Sequence, residues 1–151
     1  MAQKDLRIKL ILKGEIINAS LYGGSSISKR IYDMLPITAI INTWGEELYF
    51  PLYLNRGLDH PVKVVCVGDI AYSETWNAFC IFYGKTPYSN SQEIISNGPV
   101  DIVGRVDDPL IFKKLLSGFF KEKKRRIFNR IPVLHKYAET IKVLRLNMET
   151  P

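Results

Sequence analysis

Leu6, Ile8, Leu10 and Leu12 alternate with Arg7, Lys9 and Ile11, the period-two pattern of a strand with one face on a core. Lys13-Gly14-Glu15 reads as a turn, and Ile16 to Leu21 as the returning strand of a hairpin. Tyr22-Gly23-Gly24-Ser25-Ser26 is then a loop that ends in good N-cap residues. Ile27, Ile31, Met34 and Leu35 recur at helical spacing, and Pro36 closes that short helix. Six β-type runs follow: Ile37 to Thr43, Glu46 to Leu54, Lys63 to Val67, Asp69 to Tyr72, Ala78 to Tyr83 and Val100 to Val106. Clusters such as Asn55-Arg56-Gly57 and Gly84-Lys85-Thr86-Pro87 separate them. Asp107-Asp108-Pro109 starts a second short helix, with aspartate as cap and proline in the first turn. Leu110, Ile111, Leu115 and Leu116 are expected on its buried side. Thr140 to Leu146 alternates again and supplies a last strand.

About eight short strands punctuated by turns predict a mainly β fold, a sandwich or a closed barrel. In a barrel of that size two short helices cap the open ends. At 151 residues the chain suits one domain spanning 1–151. It has no internal repeat or low-complexity linker. Hydrophobic residues make up 46% and charged residues 24%, which places it among globular chains and excludes a disordered one.

No apolar run reaches the roughly 18 residues of a membrane span, and Met1 to Leu12 reads as a strand, not a signal peptide. With no export signal, a reducing, cytoplasmic location is expected. The two cysteines, Cys66 and Cys80, sit in apolar runs, where cysteine acts as a small buried hydrophobe. A zinc site takes about four ligands, and only His60 and His135 are left to join them. Neither a metal nor a cofactor is expected.

The formal net charge of +6 is concentrated. Residues 113–130 hold eight basic residues against Glu122 alone, so the rest of the chain is close to neutral. The segment at about 117–132 is insert-like. Lys121, Lys123, Lys124, Arg125, Arg126 and Arg130 would bind a polyanion or nucleic acid through salt-sensitive phosphate contacts. A solvated or packed face is the plainer reading, because Phe119, Phe120, Ile127 and Phe128 interleave with the charges.

Three blocks carry a resemblance. They are Asn42-Thr43-Trp44-Gly45-Glu46-Glu47-Leu48-Tyr49-Phe50; Val67-Gly68-Asp69-Ile70-Ala71-Tyr72 running on to Ala78-Phe79-Cys80-Ile81-Phe82-Tyr83-Gly84-Lys85-Thr86-Pro87; and Val100-Asp101-Ile102-Val103-Gly104-Arg105. In order and spacing the chain resembles the small prokaryotic cyclophilin-like family of unknown function typified by a Thermotoga protein. The resemblance spans about residues 5–116 and, more weakly, the last strand. It implies a closed cyclophilin-like β-barrel with two capping helices, and no established activity. Where that family has Trp-Pro-Pro-Gly, this chain has Ser73-Glu74-Thr75-Trp76-Asn77, so the loop over the expected cleft is altered.

Prolyl isomerases of this fold carry a Phe-His-Arg string, a Phe-Met-x-Gln-Gly string, and a loop with tryptophan and histidine. None occurs here, and Ile37 to Phe50 contains no arginine. A weak peptidyl-prolyl isomerase is therefore the alternative reading, and no catalytic residue is assigned. Glu46 and Glu47 are adjacent on a strand and point to opposite faces, which rules out a facing acid–base pair. One is expected in solvent; the other caps a loop or meets a ligand cation.

Aromatic density remains. Trp44, Tyr72, Trp76, Phe82 and Tyr88, with Arg105, are the expected ligand-binding residues, because Trp and Tyr join apolar area to a polar tip. Trp76 and Tyr88 stand out, since each lies in a loop among polar residues. The sequence thus predicts a non-catalytic module that binds a peptide or small ligand in the cleft. It leaves the oligomeric state open.

Overall fold

The computed structural model describes residues 3–117 and 139–151. Ten strands form one antiparallel system: β1 (Leu6–Leu12), β2 (Glu15–Leu21), β3 (Ile37–Ile40), β4 (Asn42–Trp44), β5 (Glu47–Pro51), β6 (Val62–Val65), β7 (Asp69–Ser73), β8 (Ala78–Phe82), β9 (Ile94–Val106) and β10 (Thr140–Arg145). The order is β3-β10-β1-β2-β9-β7-β8-β5-β4, with β6 laid separately along β9. The expected run Ile37 to Thr43 is two strands. They occupy the two opposite edges of the sheet and are joined only by Ile41.

That junction explains the barrel. Neighbouring Cα atoms are about 3.8 Å apart, so two edges joined through one residue must lie side by side. The sheet is rolled up, and the chain itself bridges the seam. No backbone ladder joins β3 to β4 among the described residues. Ile41 is buried there and its N–H donates to Glu139 O at 2.9 Å.

Strand alternation fills the interior. Ile8, Leu10 and Leu12 of β1 meet Ile17, Ala19 and Leu21 of β2, Phe79 and Ile81 of β8, and Ile141 and Val143 of β10. Phe50 stacks on Phe79 with centroids 4.7 Å apart. Helix α1 (Ser26–Met34) lowers Ile27 and Ile31 into this core. A second helical stretch, α2, at 111–117, does the same with Phe112 and Leu116. Because β2 and β9 run antiparallel, the helices that follow them leave at opposite ends of the barrel.

The expected buried side of α2 needs correction. Leu110 is 60% exposed, whereas Phe112 is fully buried against Tyr83. Leu110 lies in the turn before the helix, so helical spacing does not govern it. Asp107 is engaged elsewhere, by Arg7 at 2.8 and 3.0 Å. Cys66 is exposed, contrary to expectation, because β6 is a separate outer strand with only Val65 turned inward. Met34 is also exposed.

Ser25 caps α1, its Oγ accepting from Ser28 N at 3.1 Å. A Ser25→Ala variant is expected to lose about 1 kcal/mol, the usual value of such a cap. The shift of the urea unfolding midpoint measures it.

Candidate functional site

Both faces of β8 are buried. Phe79 and Ile81 point into the barrel; Ala78, Cys80 and Phe82 point outward into a second cluster with Val65, Ala71 and Val100. Strand β6 and the first half of β9 cover that outer face. The cover is incomplete, because β9 is bulged between its pairings of Ile95 with Val64 and of Val100 with Val62. Gly98 sits in the bulge at φ +86°, a conformation that glycine adopts without steric cost. Bulges re-aim side chains beside binding sites, and here Ser96 and Asn97 are turned to the rim of a cavity.

The cavity has a volume of about 190 Å³ and is lined by residues of five strands and one turn. Trp44, Tyr49, Trp76 and Phe82 form its aromatic walls. The β5–β8 register sets Glu47 opposite Phe82 and Tyr49 opposite Cys80, and Trp44 of β4 faces Glu47 from the other side. Trp76 reaches over from the β7–β8 turn. Its backbone N–H donates to Ser73 Oγ at 3.1 Å and its indole N–H to Asn97 O at 3.0 Å. The ring is thus fixed although 60% of the residue is exposed.

Glu47 is the acid of the cavity and is only 7% exposed. Among the described residues no Lys, Arg or His lines the cavity. Burial pushes the Glu47 carboxyl up to about 7, slightly offset by the adjacent Cys80 thiol. Burial beside that carboxylate holds the Cys80 thiol well above its ordinary value, so at neutral pH the sulfur stays protonated and a poor nucleophile. Tyr49 is likewise raised by burial. What the arrangement offers chemically is apolar enclosure with one carboxyl poised to bind or release a proton near neutrality.

Of the residues expected from sequence, Trp44, Trp76 and Phe82 meet at this cavity. Tyr88 stands behind Trp44, edge to face, with centroids 4.8 Å apart. Tyr72 is elsewhere: Ala71 and Ser73 face outward, so Tyr72 points into the barrel. There its hydroxyl donates to Leu52 O at 3.0 Å and accepts from Leu54 N at 3.2 Å. Arg105 is also apart. It lies five residues beyond Val100 along β9, on the order of 16 Å at strand rise, opposite Asp69 and Ser20. Lys121, Lys123, Lys124, Arg125, Arg126 and Arg130 lie outside the described residues.

Of the adjacent pair Glu46 and Glu47, one is expected in solvent and the other at a loop or a ligand cation, and the sequence does not say which. Glu46 points away and meets Lys113 Nζ at 3.7 Å. The signal that singles out Glu47 is its place two residues before Tyr49, on the same face of an apolar strand. Among the described residues no group of three or more His, Cys, Asp or Glu is placed to hold a metal ion. No helix among them is long and apolar enough to cross a membrane.

Comparison with known proteins supports the architecture. The sequence model of the family described as Cyclophilin-like matches residues 6–127. The solution structure of the hypothetical protein AF2241 from Archaeoglobus fulgidus is 26% identical, with a TM-score of 0.65 over 96% of this chain and 99% of that one. McbB, solved in complex with tryptophan, is 14% identical with a TM-score of 0.60. That likeness covers 95% of this chain but 46% of McbB, and shows the fold alone. No curated protein matches the sequence.

Proposed function

Since the chain belongs to the cyclophilin-like family, we propose that it is a non-catalytic binding domain that holds a small ligand in the cavity on the barrel's outer face. The observation that carries this reading is the enclosure itself. Both tryptophans of the chain converge on one cavity of about 190 Å³, and Trp76 is pinned over it by hydrogen bonds. A large, exposed aromatic held in place gains nothing from core burial and is suited to contact with a ligand. The volume slightly exceeds the roughly 150 Å³ that admits a benzene ring, so the natural occupant has one ring or a group of that size.

In this reading the ligand site differs from the cleft expected from sequence. Glu47, Tyr49 and Cys80 line the cavity with the tryptophans, whereas Tyr72 and Arg105 do not.

Because Trp44 and Trp76 both line the site, intrinsic tryptophan emission reports its occupancy directly. Titration with single-ring compounds is expected to quench or shift that emission saturably. Trp76→Ala is expected to weaken binding about tenfold or more, the scale of losing a well-packed aromatic anchor. Its thermal midpoint should be nearly unchanged, since the side chain is largely outside the core. Emission unaffected by every ring compound at millimolar concentration rejects the reading.

A further inference from the structure

A buried carboxylate ordinarily comes with a cation, because an unpaired charge away from water costs several kcal/mol. Among the described residues Glu47 departs from that rule. The ion pairs of the described residues are Arg7–Asp107, Arg56–Asp59 and Lys113–Glu46, and none reaches it. The groups around it compound the effect. The faces of Trp, Tyr and Phe carry negative quadrupole potential, which attracts cations within about 6 Å of the ring centroid. Among the described residues Cys80 from β8 and Tyr49 from β5 are the titratable groups beside Glu47, and both are neutral near pH 7.

Among the lining residues Glu47 is the one that can carry charge near neutrality, and it is set among aromatic rings; Ser73, Ser96 and Asn97 are neutral. Trp44, Tyr49, Trp76 and Phe82 bring aromatic rings to the cavity, and Glu47 brings the one carboxyl among the lining residues. We infer that the cavity selects a small organic ammonium ion bearing a single apolar ring, with Glu47 taking the ammonium and the four aromatic side chains enclosing the rest. This inference rests on the reading of the cavity as a ligand site and names the chemistry of its ligand. A neutral ring compound would leave the carboxyl buried without a partner. An anion would be set beside the carboxylate.

The affinity of such a cation depends on the ionised carboxyl. The free Glu47 titrates at about 7, and an alkylammonium stays charged well above that. Binding is therefore expected to be strongest above pH 7 and to fall as pH drops through it, because the cation must then displace a proton. A neutral analogue has no such dependence.

The test uses the full chain and three probes of similar size: 2-phenylethylammonium, 2-phenylethanol and 3-phenylpropionate. Tryptophan emission and calorimetry follow binding at pH 6 and pH 8. The expected result is that the ammonium binds at least tenfold more tightly than the alcohol at pH 8. It should lose most of that advantage at pH 6, and at least tenfold in affinity in Glu47→Gln. The alcohol should be indifferent to both changes. The pH comparison on the unaltered protein stands alone if Glu47→Gln fails to fold. Equal affinity for ammonium and alcohol overturns the inference and leaves the cavity a neutral ligand site, as does tightest binding of the carboxylate. Failure of all three probes to bind overturns both the inference and the reading beneath it.

Discussion

At pH 8 the Glu47→Gln variant is expected to be more stable than the unaltered protein by about 3 kcal/mol, and at pH 4 to differ from it little. The carboxyl titrates at about 7 in the fold against an ordinary value of 4.5. Between those values the folded protein binds a proton that the unfolded chain has released. A group raised in this way favours folding fully below its unfolded value, and that contribution is lost as pH rises through the folded value. Each tenfold difference in proton affinity is about 1.4 kcal/mol, so the gap between 4.5 and about 7 corresponds to about 3 kcal/mol. Urea unfolding of both proteins at half-unit intervals from pH 4 to 8 provides the measurement. A difference that does not grow with pH would show that the carboxyl does not titrate in that window.

A residue that supports the fold destabilises when removed; Glu47 should do the opposite above pH 7 while abolishing discrimination between ammonium and alcohol. Stability lost at a site and kept in the sequence is the usual mark of a binding or catalytic role.

The second large effect is expected at Gly104. This residue lies between two partners on the sheet, opposite Leu21 of β2 and Ile70 of β7. A Cβ built on it would sit 2.2 Å from Ser20 O and 3.2 Å from Leu21 Cα. The first is a backbone atom held in the ladder, so no side-chain rotation relieves the clash. Glycine within a strand marks such a close approach of another backbone. Gly104→Ala must part β9 from β2, and is expected to cost about 3 kcal/mol or more, among the larger single-residue effects. For a chain of this size that lowers the thermal midpoint by roughly 6–12 °C. Gly24→Ala is the companion variant. Nothing lies within 4 Å of its added Cβ, and a change within about 0.5 kcal/mol is expected there. A Gly104→Ala protein as stable as the Gly24→Ala one would refute the steric argument.

Much of the barrel is visible in the order of apolar residues. In the β1 and β10 runs Ile8, Leu10 and Leu12 and Ile141 and Val143 recur at period two because one face of each strand meets the interior, although Ile11 and Leu144 interrupt the alternation. Alternation also says that Ala71 and Ser73 share a face that Tyr72 does not, but not which face holds a cavity. On β8 both faces are buried, and apolar character no longer distinguishes inside from outside. The site was therefore only half legible: Trp44, Trp76 and Phe82 are conspicuous by type, whereas Glu47 acquires its meaning from residues opposite it on other strands. The run expected from Val100 to Val106 is only the second half of β9, which begins at Ile94 and passes through Asn97-Gly98-Pro99. Those residues punctuate turns in most chains, and here they form a bulge inside a strand that continues on both sides.

The position of β10 has a consequence for how the barrel assembles. It lies between β1 and β3 and pairs with residues from the first forty of the chain on both sides. During synthesis from the N-terminus, β1 and β3 emerge early and each has one hydrogen-bonding edge without its neighbour. The wall is completed only when the last strand slides between them. Late, distant pairing of this kind raises contact order and slows folding, and unfilled edges invite strands of other molecules. The gap between β1 and β3 is thus a vulnerable stage of the nascent protein. Lys9 and Lys142, which alternate with apolar residues on β1 and β10, put charge on two strands that meet there.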